Sequence, residues 1–148
     1  AERAGIGAKT KLRMGGKIDD QHGSPLETEV IVKSLHDGRF TESEIRHGGR
    51  TRYDMGQTAI VETNTGLTIS LTSKSCGPVS IGVMTSCGLK PEDFQIIVAK
   101  GVHSPVPAFE PVCVKLVRVN TPGSTTADVN SFNYQHRRRP LHPFEEIQ

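Results

Sequence analysis

The chain contains no tryptophan, and aromatic residues of all kinds make up only 5% of it. The hydrophobic fraction is 34%, so a core has to rest on Val, Ile and Leu, which suits packed strands. No stretch approaches the ~20 consecutive apolar residues that span a bilayer. No charged start followed by an apolar run marks a secretion signal. Charge is sparing too: a formal net charge of +2 gives no bulk attraction for nucleic acid or a membrane surface. Cysteine is limited to Cys76, Cys87 and Cys113, an odd count with no Cys-x-x-Cys pair. They read as free buried thiols of a reducing compartment, and the expected location is cytoplasmic. No His-x-His or His-Glu-x-x-His pattern offers a self-contained zinc site. Ser24, Ser80 and Ser104 lack a Gly-x-Ser-x-Gly setting, which excludes a self-contained hydrolase of the triad class.

What is present is a chain of 148 residues, the size of one domain, with fifteen glycines and nine prolines that imply many turns. It begins Ala1-Glu2-Arg3, without methionine. Residues 1–8 have the character of an approach to a strand, so the chain reads as a piece of a longer protein. Alternation predicts strands over residues 9–14, 26–35, 58–63 and 67–73. Asp37-Gly38 is a tight-turn pair with Phe40 and Thr41 starting a return strand, and Asn64-Thr65-Gly66 joins a second hairpin. Residues 42–54 read as an exposed polar loop. Ser80 caps a short helix that Gly88 ends, with Val79, Val83 and Cys87 at helical spacing. Pro91-Glu92-Asp93 is a turn. Residues 94–99 then read as a strong central strand and residues 112–119 as another, before an irregular tail. The expected class is α+β: mainly β, an antiparallel or mixed sheet, with one short helix near residues 80–87 in a single domain.

Four groups of residues could carry chemistry. Lys100 and His103 emerge where the 94–99 strand is expected to end, a place held by a sheet yet able to face a cleft. The bland alternative is a solvated lysine and a histidine that hydrogen-bonds its own loop. Gly15-Gly16-Lys17-Ile18-Asp19-Asp20-Gln21-His22 presents Lys17, Asp19 and His22 from one glycine-rich loop. Such a loop can bind an anion through Lys17 and backbone N–H groups, hold a metal between Asp19 and His22, or be a solvated turn. Tyr53-Asp54-Met55-Gly56 reads as a turn at a strand entrance. Arg137-Arg138-Arg139 is a short basic run followed by Glu145 and Glu146. With Tyr134 as its only neighbouring ring, it suits a solvated or interface tail better than a nucleic-acid reader.

Taken in order, these segments resemble a known family. They are Gly15-Gly16-Lys17 with Asp19, His22-Gly23 and Pro25; Asp54-Met55-Gly56 with Thr58-Ala59; Gly88-Leu89 with Pro91; Lys100 with His103; and Ala108-Phe109-Glu110-Pro111. Pro122-Gly123 and Arg138-Arg139-Pro140 with Pro143 complete the set. Together they resemble the C-terminal domain of the MlrC-like family, named for microcystin degradation and regarded as zinc metallopeptidases. The family pairs this domain with a longer N-terminal domain thought to hold the zinc. The resemblance therefore implies zinc in the full-length protein and none bound by this chain alone. The implied partners are the N-terminal domain and a peptide or amide substrate. The implied role is to close or shape the substrate cleft, with His103 and Lys100 touching substrate or transition state and Lys17, Asp19 and His22 binding substrate. The alternative is a non-catalytic interaction or oligomerisation module. The family usually has Lys-Ser-x-x-His-Phe-Arg where this chain has Lys100-Gly101-Val102-His103-Ser104-Pro105. The serine, the aromatic and the arginine are lost, Gly101 loosens the loop and Pro105 and Pro107 stiffen it, so microcystin itself is not implied as the substrate.

Overall fold

The computed structural model describes residues 1–16, 23–44, 47–121 and 128–146. Six strands form two antiparallel sheets: β1 (Lys9–Met14), β2 (Leu26–His36), β3 (Arg39–Thr41), β4 (Arg52–Asp54), β5 (Thr58–Thr63) and β6 (Thr68–Thr72). The larger sheet has the order β1-β2-β5-β6, and β3 pairs with β4 in the smaller one. Two single-turn helices follow, α1 (Gly82–Thr85) and α2 (Val106–Phe109). The mainly antiparallel β architecture with few short helices is the expected one. The chain falls into two compact units, Ala1–Val117 and Arg118–Gln148, each described by itself below.

The large sheet is built on β5, which is buried at five of its six positions. Alternation sends its side chains to opposite faces, and each face has a cluster waiting for it. Ala59 and Val61 join Met14, Val30 and Val32, with Leu12, Leu35, Ile69 and Leu71 packed against them. Ile60 points the other way and joins Met55 and Cys87, with Phe40, Cys76, Val83 and Leu89 around them. Register explains the first cluster, because Val32 lies opposite Val61 and Val61 opposite Ile69. The expected face of β1 is also found, since Thr10, Leu12 and Met14 are covered while Lys9, Lys11 and Arg13 are exposed. A break in register between Val32 and Ser34 lets the eleven-residue β2 bend along its partner.

The Asp37-Gly38 turn forms, but it does not return the chain along β2. Gly38 has φ +68° and Asp37 does not have a positive φ, whereas a two-residue hairpin of this type needs both. Asp37 Oδ1 instead accepts from Arg39 N–H at 3.0 Å, and Gly38 C=O accepts from Met55 N–H at 2.8 Å. The chain is thereby sent into β3, whose partner is β4. Residues 52–54, expected to lie in an exposed loop, are that partner. Their anchor is Tyr53, which is buried and stacks on Phe40 with ring centroids 4.7 Å apart.

Helix α1 lies where the short helix was expected, reduced to one turn. Ser80 is fully buried. Its hydroxyl accepts from Gly82 N–H at 2.9 Å and donates to the Glu42 carboxylate. The stretch ends at Gly88, with Leu89 N–H reaching back to Met84 C=O at 3.2 Å and Gly88 N–H to Thr85 C=O at 3.0 Å, the paired bonds of a left-handed glycine terminus. The two later strands do not form. Phe94 is extended (φ −115°, ψ 130°) and so is Cys113 (φ −117°, ψ 136°), yet neither 94–99 nor 112–119 enters a ladder. The central strand is β5 instead. Val112 closes a 3₁₀ turn, Glu110–Val112, and a strand also needs a neighbour: the four-stranded sheet ends at β1 and β6 without recruiting these segments.

In the second unit the tail is irregular, as expected, but it has a focus. Arg137 Nη1 donates to Glu145 Oε2 at 2.6 Å, and its guanidinium lies 4.4 Å from the Phe144 ring centroid. Tyr134 meets Phe144 edge-on at 5.2 Å. One member of the arginine run is thus committed to its own unit.

Gly82 gives a direct test of how α1 docks. A Cβ there would stand 2.3 Å from Phe40 Cε2, while one at Gly77 would meet nothing closer than Val79 Cγ1 at 3.7 Å. Gly82→Ala is expected to cost about 1–3 kcal/mol by forcing the Phe40–Tyr53 stack to move. Gly77→Ala, the control, is expected to stay within ~0.5 kcal/mol. Urea unfolding midpoints of the two variants measure the difference.

Candidate functional site

The loop carrying Lys100 and His103 leaves the extended segment 94–99 and runs into α2. Both residues are exposed. His103 C=O accepts from Val106 N–H at 3.1 Å, which starts the turn leading into the helix. Just beyond, the chain is anchored: Pro105, Ala108 and Phe109 are buried. The loop therefore has a packed root and a solvent-facing crest.

Gly101 and Pro105 are coupled. A Cβ on Gly101 would lie 2.8 Å from Pro105 Cγ, 2.9 Å from its Cδ and 3.2 Å from Ser104 Oγ. The proline ring occupies the space that a side chain at position 101 would need, so glycine here accompanies proline there.

Lys17, Asp19 and His22 lie outside the described residues. Asp54 is a turn former, the reading favoured for its segment. Its Oδ1 accepts from Gly56 N–H at 2.8 Å, and its other oxygen pairs with Lys74 Nζ. The Lys74 hydrogen bond, then the Gly56 N–H, and then the charges of Lys74 and Arg39 hold the Asp54 carboxyl below its usual range. The Cys87 thiol is pushed up by burial, as is that of half-buried Cys76. A thiol raised in this way is a poor nucleophile, in keeping with structural cysteines. All three cysteines are free, though only Cys87 is fully buried.

One open cleft was not anticipated from sequence. It encloses about 560 Å³ and is lined by Glu2, His36, Asp37 and Gln57 among others. His36 Nε2 lies 2.8 Å from Ser34 Oγ, and Gln57 Nε2 donates to Glu2 Oε1 at 3.0 Å. His36 and Asp37 read as turn residues in sequence, and only the fold brings Glu2 and Gln57 beside them. Neither Lys100 nor His103 lines it. Among the described residues, no three His, Cys, Asp or Glu side chains gather where they could share a metal ion, so the described part of the chain does not fit a zinc centre. No described helix is long and apolar enough to cross a membrane.

Two measurements follow from this geometry. Gly101→Ser is expected to destabilise by about 1–3 kcal/mol and to cost less beside Pro105→Ala. A double-mutant cycle by chemical unfolding should give a coupling of roughly 0.5 kcal/mol or more. For Asp54, a carboxyl held low in the folded chain and at ~3.9 in the unfolded one stabilises above about pH 4. That contribution disappears as pH falls through the lowered folded value. Lys74→Met should therefore lower thermal stability at pH 7, and the gap to the parent should close in acid.

The family model described as MlrC C-terminus matches residues 1–136. No curated protein matches the chain. With most of its length matched, including the Asp54-Met55-Gly56 turn and the Lys100–Phe109 loop and helix, the chain belongs to the MlrC C-terminus family.

Proposed function

We propose that this domain is the accessory part of a zinc-dependent peptide or amide hydrolase, closing or shaping a substrate cleft whose metal is held by a preceding domain. The observation that carries it is the Lys100–His103 loop: a cation and an imidazole on an exposed crest, with Pro105, Ala108 and Phe109 buried as its root. Such a crest can present both groups to a second body without itself unfolding. Lys100 makes no hydrogen bond or ion pair to another described residue, which leaves its ammonium available to a substrate carboxylate or carbonyl. Zinc belongs to this reading through family membership and would supply Lewis-acid activation elsewhere in the protein. Lys17, Asp19 and His22 remain substrate-binding candidates on the same grounds of resemblance.

A second reading is favoured by a different observation. The exposed apolar side chains of Ile96, Val98, Val114 and Val117 suit a domain whose task is docking alone, without chemistry at the loop. The two readings part on one measurement in the intact protein. His103→Ala is expected to lower kcat/KM by about 10–100-fold, the scale of a lost hydrogen bond to a charged group, while circular dichroism and melting stay unchanged. Unaltered turnover in a folded variant removes His103 from the mechanism and leaves docking as the function.

A further inference from the structure

The open cleft of about 560 Å³ lies at one end of the large sheet, where β2, β5 and β6 run side by side. Leu35 stands opposite Ala59, and Ala59 opposite Leu71, so these three side chains form one apolar row across the strands. Asp37, Gln57 and Ser73, each two positions from a member of that row, also line the cleft. Residues two apart along a strand share a face. The pairing carries on between them, since Ser73 N–H donates to Gln57 C=O at 3.0 Å. An apolar row thus runs beside a polar one. Residues 1 and 2 add a wall: Ala1 packs against the cluster that holds Ala59, and Glu2 Oε1 accepts from the Gln57 side chain at 3.0 Å. Leu35 and Leu71 are only half-buried, which leaves the apolar floor open to a ligand.

Size, floor and rim together select the occupant. Sites for small molecules enclose roughly 300–1,000 Å³ and combine an apolar lining with a few polar groups. The side-chain charge here has one sign: Glu2 and Asp37 line the cleft, and no lysine or arginine does. An anion would meet like charge, and a neutral apolar molecule would leave both carboxylates without a counter-charge. Each carboxylate accepts one hydrogen bond, Glu2 from Gln57 and Asp37 from Arg39 N–H at 3.0 Å, and has room for further donors. Glu2, Asp37 and His36 do not gather closely enough to share a metal ion. His36 is itself engaged, its Nε2 2.8 Å from Ser34 Oγ. A compact metal cation therefore does not suit the cleft, and an ammonium group on a short alkyl chain does.

We propose that the cleft binds a small organic amine in its protonated form. The alkyl chain lies along Leu35, Ala59 and Leu71, and the ammonium end lies on the side of Glu2 and Asp37. The site is separate from the Lys100–His103 loop, neither of whose polar residues lines it, so it holds whether or not that loop takes part in chemistry.

Titration of the intact protein with n-hexylammonium chloride, followed by amide chemical shifts in NMR, tests this. Saturable shifts confined to residues 35–37, 57–59 and 71–73 are expected at a Kd of about 1 mM, a scale open to so small a ligand. Hexanoate, with the same chain and the opposite charge, should bind at least ~10-fold more weakly. Asp37→Asn and Glu2→Gln keep the shape of the side chain and remove its charge. Each is expected to weaken hexylammonium binding about 2–5-fold, the scale of a solvent-exposed ion pair, with the melting temperature unchanged. Hexanoate or hexanol binding as tightly as hexylammonium would overturn the proposal, because the charge would then count for nothing. That comparison uses the parent protein alone and does not depend on either variant folding. Full-strength binding when both carboxylates are replaced, or saturation at other residues, would overturn it too. So would the absence of any saturable shift, the result expected where another part of the intact protein already fills the cleft.

Discussion

A backbone N–H or C=O taken from water has to find a partner, and this chain divides along that constraint. Strand β5 meets it completely, with β2 and β6 on its two edges and an apolar cluster against each face. Both hydrophobic clusters of the first unit are referred to that strand. The long sheet supplies its neighbours, while α1 and the β3–β4 pair cover the face that Ile60 presents. Segments 95–99 and 114–117 have similar side chains and form no backbone hydrogen bond among the described residues. The difference between buried Val61 and exposed Val98 is a difference of neighbours and owes nothing to residue type.

This is also why the strands legible in sequence divide into two sorts. Alternation in 9–14 and the run 58–63 were sufficient for β1 and β5, because those residues pair within the chain. The same reasoning on 94–99 wrongly indicates a central strand, since pairing needs a neighbour as well as a local preference. Strand β4 was hidden for the opposite reason. Three residues in a polar stretch have no period to read, and only the stack of Tyr53 on Phe40 makes them a strand. At Asp37-Gly38 the turn chemistry was legible and its direction was not, because the dipeptide specifies a reversal without specifying which strand receives the chain.

For the candidate site, sequence located the loop and structure added its mechanics. Lys100 and His103 stand out in sequence as polar groups at the end of an apolar run. That Gly101 and Pro105 exclude any side chain between them is a packing fact with no sequence period. The cleft at His36 and Asp37 shows the same limit, since it joins Glu2 to residues 33 or more positions away.

The loop lies between two segments that enter neither sheet of the described residues. Fixing one residue's backbone costs roughly 1–2 kcal/mol, and a catalytic crest held at only one end bears that cost each time substrate arrives. In this chain α2 holds the far end of the crest through Ala108 and Phe109, and the near end runs into 95–99, which has no ladder. On the proposed docking reading, contact of that segment with another body would fix the near end as well, and the ordering cost of Lys100 and His103 would be met before any substrate binds. Preorganisation of this kind raises affinity without adding a contact.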